Sequence, residues 1–222
     1  MPRIQHLLFS VLLLILCTSC FEMVEDITVK SNGSGTYKFS VNLSQSKTQI
    51  DKIRTQDSIL NFKVPSVTDL DKKMEEVKQK LHSIEGITNV QTKSDHINYI
   101  YNLQCDFANV QQLNKAIQII WKNYDKSAPE TFNLYSYENG VFKRNSDISH
   151  IEHVLSKAGN QEVDMCKKAT YMVICRFEQP ILEQTSNYYV LSPSKKAAMY
   201  KNDLWTTISY KQASNNIIKI TQ

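Results

Sequence analysis

The sequence predicts an α+β fold, an antiparallel sheet packed by two amphipathic helices, with a β-rich C-terminal half. Three observations predict it. Two early runs alternate apolar and polar residues with period two. Two later runs carry apolar residues at steps of three and four. The runs follow one another as ββαββα. An alternating strand buries one face and a striped helix one side, so both helices laid over one sheet face satisfy all the strands together.

Residues 24–44 read as a hairpin. Ile27 and Val29 alternate with polar neighbours, Asn32-Gly33-Ser34-Gly35 supplies turn chemistry with positive φ, and Tyr37, Phe39, Val41 and Leu43 resume the alternation. Residues 45–62 are polar with scattered isoleucines, a loop carrying a short helix. A strong helix then starts at Thr68 as N-cap, with the stripe Leu70, Met74, Val77, Leu81 and Ile84. Asp69 and Asp71 suit its positive end, and Gly86 suits a C-terminal cap. Residues 87–90 and 97–107 read as strands about a turn at Lys93-Ser94-Asp95. The second helix begins at Asn109, with Gln112 as capping-box partner and the stripe Val110, Leu113, Ile117 and Ile120.

The β-rich half, about 130–222, follows the N-terminal part at about 24–124. A hairpin turns at Glu138-Asn139-Gly140, a third helix spans 147–158, and strand-like runs occupy 169–177, 181–191, 197–200 and 217–220. No repeat or long linker separates the parts, so residues 20–222 read as one mature domain.

The amino end supplies the address. Arg3 precedes ten residues, Leu7 to Leu16, apolar except for Ser10. At about 1.5 Å per residue this run reaches roughly half a bilayer core, the proportion of a signal-peptide hydrophobic region. Thr18-Ser19-Cys20 then resembles the cleavage site of a bacterial lipoprotein signal, in the relaxed form familiar among Bacteroidetes, with Cys17 where an aliphatic residue is usual. The resemblance implies a signal peptide at 1–19, lipidation (diacylglycerol with a further acyl chain such as palmitate) at Cys20, and a cell-envelope home, the outer membrane by preference. Glu22, Glu25 and Asp26 look like the acidic sorting signals that send some such lipoproteins to the surface. The competing reading is an ordinary secretory signal and a soluble secreted binding protein. The sequons at Asn32 and Asn42 are compatible with it, although a chain this rich in Asn and Ser acquires sequons by chance.

Removing the signal leaves Cys20, Cys105, Cys166 and Cys175. With Cys20 acylated, three thiols remain and cannot all pair. Cys105 has Cys166 or Cys175 as possible partners, and the plainer reading is three small buried hydrophobes.

Cys20, the Asn32-Gly33-Ser34-Gly35-Thr36-Tyr37 hairpin, Ile84-Glu85-Gly86-Ile87 leaving a helix, and the strand ending at Phe107 before Leu113-Asn114-Lys115-Ala116 form a combination. It resembles the uncharacterised bacterial lipoproteins related to the LppM domain. Residues 171–187, with Phe177, Pro180 and Ser186-Asn187, resemble their C-terminal strand pair. The resemblance implies a membrane-tethered α+β domain with no catalytic residues to carry over.

Chemistry is hard to find. Basic residues exceed acidic ones by only 26 to 22, and four of the 26 are Arg, which disfavours a nucleic-acid partner. His150 and His153 could share a helix face with Asp147, but they lack the zinc-hydrolase spacing and read as a solvated face; no metal or other cofactor is expected. No nucleophile elbow, P-loop or dinucleotide fingerprint occurs. The expectation is therefore a non-enzymatic envelope protein with a binding or structural role; a lipid-anchored hydrolase with a site assembled from distant residues is the alternative. Aromatics and lysines concentrate in the second half, and Tyr188, Tyr200 and Trp205 are the candidate contacts for another envelope protein or a glycolipid.

Overall fold

The structure, a computed structural model, describes residues 21–55, 58–59, 62–63, 66–124, 133–146, 160–210 and 214–221. The predicted α+β class holds, and two sheets carry it. The hairpin β1 (Glu22–Val29) and β2 (Gly35–Asn42) forms the middle of the larger sheet. After a single 3-10 turn come α1 (Lys47–Arg54), the two-residue strands β3 (Ser58–Ile59) and β4 (Phe62–Lys63), and α2 (Val67–His82). Then β5 (Ile87–Asp95), β6 (Ile100–Phe107) and α3 (Val110–Tyr124) complete the first half.

Helix α2 starts a little earlier than Thr68. Ser66 is its N-cap, because Ser66 Oγ accepts from Asp69 N at 3.1 Å while Asp69 Oδ2 accepts from Ser66 N at 3.0 Å. This reciprocal box satisfies two otherwise orphaned donors, and Ser66→Ala is expected to lower stability by about 1 kcal/mol in urea unfolding. Asn109 does cap α3, its Oδ1 accepting from Gln112 N at 3.0 Å, but Gln112 Oε1 is buried without a partner, so the predicted box is half made. The β5–β6 turn also moves, to residues 96–99. Asp95 Oδ1 accepts from the backbone N–H groups of Ile97 (3.0 Å) and Asn98 (2.9 Å), a local bond pattern that shapes the turn after Asp95, not before it.

In the second half, β7 (Tyr135–Glu138) and β8 (Val141–Arg144) form the expected hairpin about Asn139 and Gly140, both at positive φ. The predicted helix at 147–158 lies outside the described residues. An unpredicted helix, α4 (Asn160–Lys168), leads into β9 (Thr170–Phe177). The run 181–191 is two strands, β10 (Ile181–Gln184) and β11 (Tyr189–Leu191), and they join different sheets. The order closes with β12 (Ala197–Asp203), α5 (Leu204–Ser209) and β13 (Asn216–Ile220). Helix α5 is not legible in the sequence because six residues give too little stripe to read. Asp203 caps it through a 2.7 Å bond from Thr206 N.

The larger sheet has the order β11-β12-β9-β1-β2-β6-β5, and the smaller one β10-β13-β8-β7. Among the described strands β1 and β9 make the one parallel pair, so the β-rich half does not stand apart but extends the first sheet across β1. One rung across its inward face runs Leu103, Phe39, Glu25, Val173, Tyr200, Tyr189. Five of these are apolar or aromatic and the sixth is a carboxylate. Helices α2 and α3 and the smaller sheet cover this face, and their buried side chains join those of the sheet in a single core cluster.

Cys105 and Cys175 are buried free thiols. Cys105 and Cys175 share a rung but have β2 and β1 between them, about 14 Å at ordinary strand spacing and well beyond disulfide reach. Burial pushes both thiols up to about 12. They behave as small hydrophobes.

Candidate ligand-binding cavity

The inward phase of β1 is set by Ile27 and Val29, and stepping back two residues puts Glu25 in the core at 3% exposure. Arg144, at the end of β8, meets it there, also at 3% exposure. Arg144 Nη2 donates to Glu25 Oε2 at 3.0 Å and to the Tyr171 hydroxyl at 2.9 Å. Its Nη1 donates to Ser214 Oγ at 2.6 Å and to Ser214 O at 3.1 Å. The hydroxyls of Tyr135 and Tyr171 donate to the two oxygens of Glu25. Position is enforced from outside the cluster: Asn114 on α3 grips both backbone polar groups of Tyr135, at 2.7 and 3.0 Å, and Phe142 stacks on its ring at 5.6 Å. One strong donor is left over, since Arg144 Nε is buried without a partner.

Burial is the largest influence on the Glu25 carboxyl and would raise it. The Arg144 charge and the two phenol hydroxyls together outweigh it and hold the carboxyl below its ordinary value. Burial likewise opposes the Arg144 charge, but Tyr171 and Glu25 keep the guanidinium protonated. Burial, then the Glu25 charge, pushes the Tyr135 and Tyr171 phenols well up, so both stay neutral donors. The cluster is an ionised, internally neutralised pair with two fixed hydroxyls.

Beside this cluster lies a cavity of about 550 Å³. Met23, Phe39 and Val41 of the large sheet form its floor; Leu70 and Met74 of α2, Ile120 and Trp121 of α3, and Leu204 of α5 form its walls. Glu25, Arg144 and Tyr171 give it a polar corner, and Lys73 and Asn102 also line it. Its volume falls within the span of small-molecule sites, and an apolar lining with a few convergent polar groups is what such sites share. Along β1 the inward residues pass from full burial at Val29 and Ile27 to partial burial at Met23. The cavity therefore lies toward the end of the sheet where β1 begins.

Of the residues nominated from the sequence, Tyr188, Tyr200 and Trp205 do not line this cavity. Cys20 and the His150–His153 cluster lie outside the described residues. Tyr188 is 65% exposed on the turn before β11. Tyr200 is 1% exposed, its ring tilted against Tyr189 at 5.6 Å and its hydroxyl 2.9 Å from Thr207 Oγ1, so it is core and offers no contact surface. Trp205 is half-buried, with Lys167 Nζ 6.0 Å from its ring centre. The structure does not gather the three into one patch. Nor do the acidic residues after Cys20 all face solvent as a sorting signal: Glu25 is the core carboxylate, and Asp26 accepts a two-pronged bond from Arg176 at 3.0 Å. Among the described residues no three His, Cys, Asp or Glu side chains group as metal ligands, and no helix is long and apolar enough to cross a membrane.

The chain is similar to the NMR structure of the Mycobacterium tuberculosis LppM folded domain, with a TM-score of 0.40, 8% identity and 92% of each chain covered. A likeness this distant carries no argument about function. No protein-family model matches the chain, and no curated protein does.

Proposed function

We propose that the protein is a non-enzymatic lipoprotein of the bacterial cell envelope, anchored through Cys20, whose domain binds an acyl-bearing small molecule in the cavity. The cavity carries this reading. Apolar walls left without an occupant forfeit dispersion contacts, and a hydrocarbon chain restores them while its polar end meets Arg144. Of the two partners left open by the sequence, another envelope protein or a glycolipid, the cavity favours a molecule with hydrocarbon to bury. The state of Glu25 supports binding over hydrolysis. A general acid or base works best with its pKa moved toward the working pH, and this carboxyl is moved the other way. Tethering at Cys20 rests on Thr18-Ser19-Cys20 and the short apolar run before it, and the bacterial envelope and outer membrane follow from that tether.

A naphthyl-labelled fatty acid titrated into the purified protein tests the site. Saturable binding is expected, weakened roughly tenfold, the equivalent of about 1.4 kcal/mol, when Val41→Trp and Met74→Trp together fill the cavity. Equal affinity of the filled variant, with its unfolding transition intact, would remove the cavity as the site.

A further inference from the structure

The cavity lies at one end of the large sheet, and the same end carries the amino terminus of the domain. Strand pairing places Glu22 beside Asn42 and Thr170, Asn42 beside Ile100, Asp95 beside Ile100, and Asp203 beside Thr170. The start of β1, the 96–99 turn, the last turn of α4 and the first of α5 therefore gather at this end. Phe21 O accepts from Thr170 N at 2.8 Å, so the first residue after Cys20 is bonded to the sheet. One residue of chain reaches at most about 3.6 Å. A lipid on Cys20 would leave the domain almost no slack.

From that geometry we infer that the β1-start end of the domain rests on the leaflet that holds its own anchor, so that the cavity faces the bilayer and exchanges its ligand directly with it. This inference rests on lipidation of Cys20. The occupant of the surface is set by tether length, and the side chains there agree with it. Ile97 is 74% exposed at the tip of its turn. That tip is braced by Lys47 Nζ donating to Ile97 O at 2.6 Å and by His96 Nε2 lying 2.7 Å from Asp71 Oδ1. Trp205 sits half-buried beside Lys167, the pairing of amphipathic ring and cation that suits a headgroup layer. Lys52, Lys167 and Lys168 are exposed at this end, whereas Asp51, Asp95 and Asp203 there each accept a hydrogen bond within the domain. Exposed lysines beside carboxylates that are engaged within the domain match an anionic leaflet.

The test uses the full-length acylated protein in vesicles of phosphatidylcholine and phosphatidylglycerol, with phospholipid brominated near the headgroup as the quencher. Trp121→Phe leaves Trp205 as the reporter at the anchored end; Trp121→Phe/Trp205→Phe/Gln179→Trp moves the reporter to the β9–β10 bend at the opposite end. Trp205 should lose roughly half its emission and the reporter at the distal bend almost none, and Lys52→Glu/Lys167→Glu/Lys168→Glu should weaken the quenching at Trp205. Equal quenching at both ends, or none at Trp205, overturns the docking. Intact mass reads the anchor separately: an acylated amino end with unquenched Trp205 overturns docking alone, and an unacylated end overturns anchor and docking together.

Discussion

Glu25→Gln and Arg144→Met should each lower the free energy of unfolding by about 3–5 kcal/mol, because each leaves the other partner of a buried pair without its counter-charge. The two side chains are equally buried and come from elements 119 residues apart in the chain. Their bond, with those of Tyr135 and Tyr171, clamps the smaller sheet onto the larger. Glu25→Gln keeps the shape and strands a guanidinium; Arg144→Met keeps the stem and strands a carboxylate. The double variant Glu25→Leu/Arg144→Met should cost less than the sum of the two, since neither charge is then left alone. Urea unfolding at neutral pH reads all three, and single variants within about 1 kcal/mol of wild type would show that the pair does not hold the sheets.

The same pair sets an acid dependence whose sign follows from the lowered Glu25 carboxyl. The unfolded chain takes up the proton near the ordinary glutamate value of about 4.3, the folded one only below it. The contribution is complete above that value and is lost as pH falls through the folded pKa. Glu25→Gln removes it, so the stability gap between wild type and variant should narrow on acidification. Because Arg144 also forms the polar corner of the cavity, Arg144→Met should weaken binding of the fatty-acid probe as well.

Much of this fold is readable from period alone. Both arms of the β1–β2 hairpin, the stripes of α2 and α3 and the Asn139-Gly140 turn stand where alternation and turn chemistry put them. What period cannot give is which strand lies beside which. The parallel pairing of β1 with β9 joins residues about 148 apart, and nothing local records it. The candidate site is obscured for a different reason. Proximity to Cys20 groups Glu25 with an acidic cluster, although the alternation through Ile27 and Val29 already places it on the buried face. Its partner has a signal too, since Arg144 is one of only four arginines and directly follows a strand-like run. The aromatic count is ambiguous for a physical reason: Tyr200 and Tyr135 bury their rings and satisfy their hydroxyls inside, whereas Tyr188 is exposed, so enrichment in Tyr reports core as readily as surface.

Gly35 shows how a correct hairpin can rest on a wrong reason, and its substitution should be the most damaging single-methyl change in the hairpin. The sequence puts it in the turn, as a residue needing positive φ. In the structure Gly33 has that role, at φ 82°, while Gly35 is the first residue of β2, paired with Val29. Gly35 is required for space. A Cβ there would lie 1.8 Å from the carbonyl oxygen of Thr28 and 2.6 Å from Cζ of Phe107. The ring could shift, but the Thr28 carbonyl belongs to β1 itself, so Gly35→Ala must prise apart the central strand pair. Overpacking typically costs about 1–3 kcal/mol, and a backbone clash at the sheet's centre puts the expected loss at about 3 kcal/mol or more. Gly33→Ala supplies the comparison: its Cβ would sit 3.2 Å from the Tyr137 ring, a tight but movable neighbour, so its cost is mainly the left-handed backbone, about 1–2 kcal/mol. The order of the two effects is what separates space from conformation. If thermal unfolding ranks Gly33→Ala as the more harmful, Gly35 is a turn residue after all and the close approach of β2 to Thr28 does not constrain the hairpin.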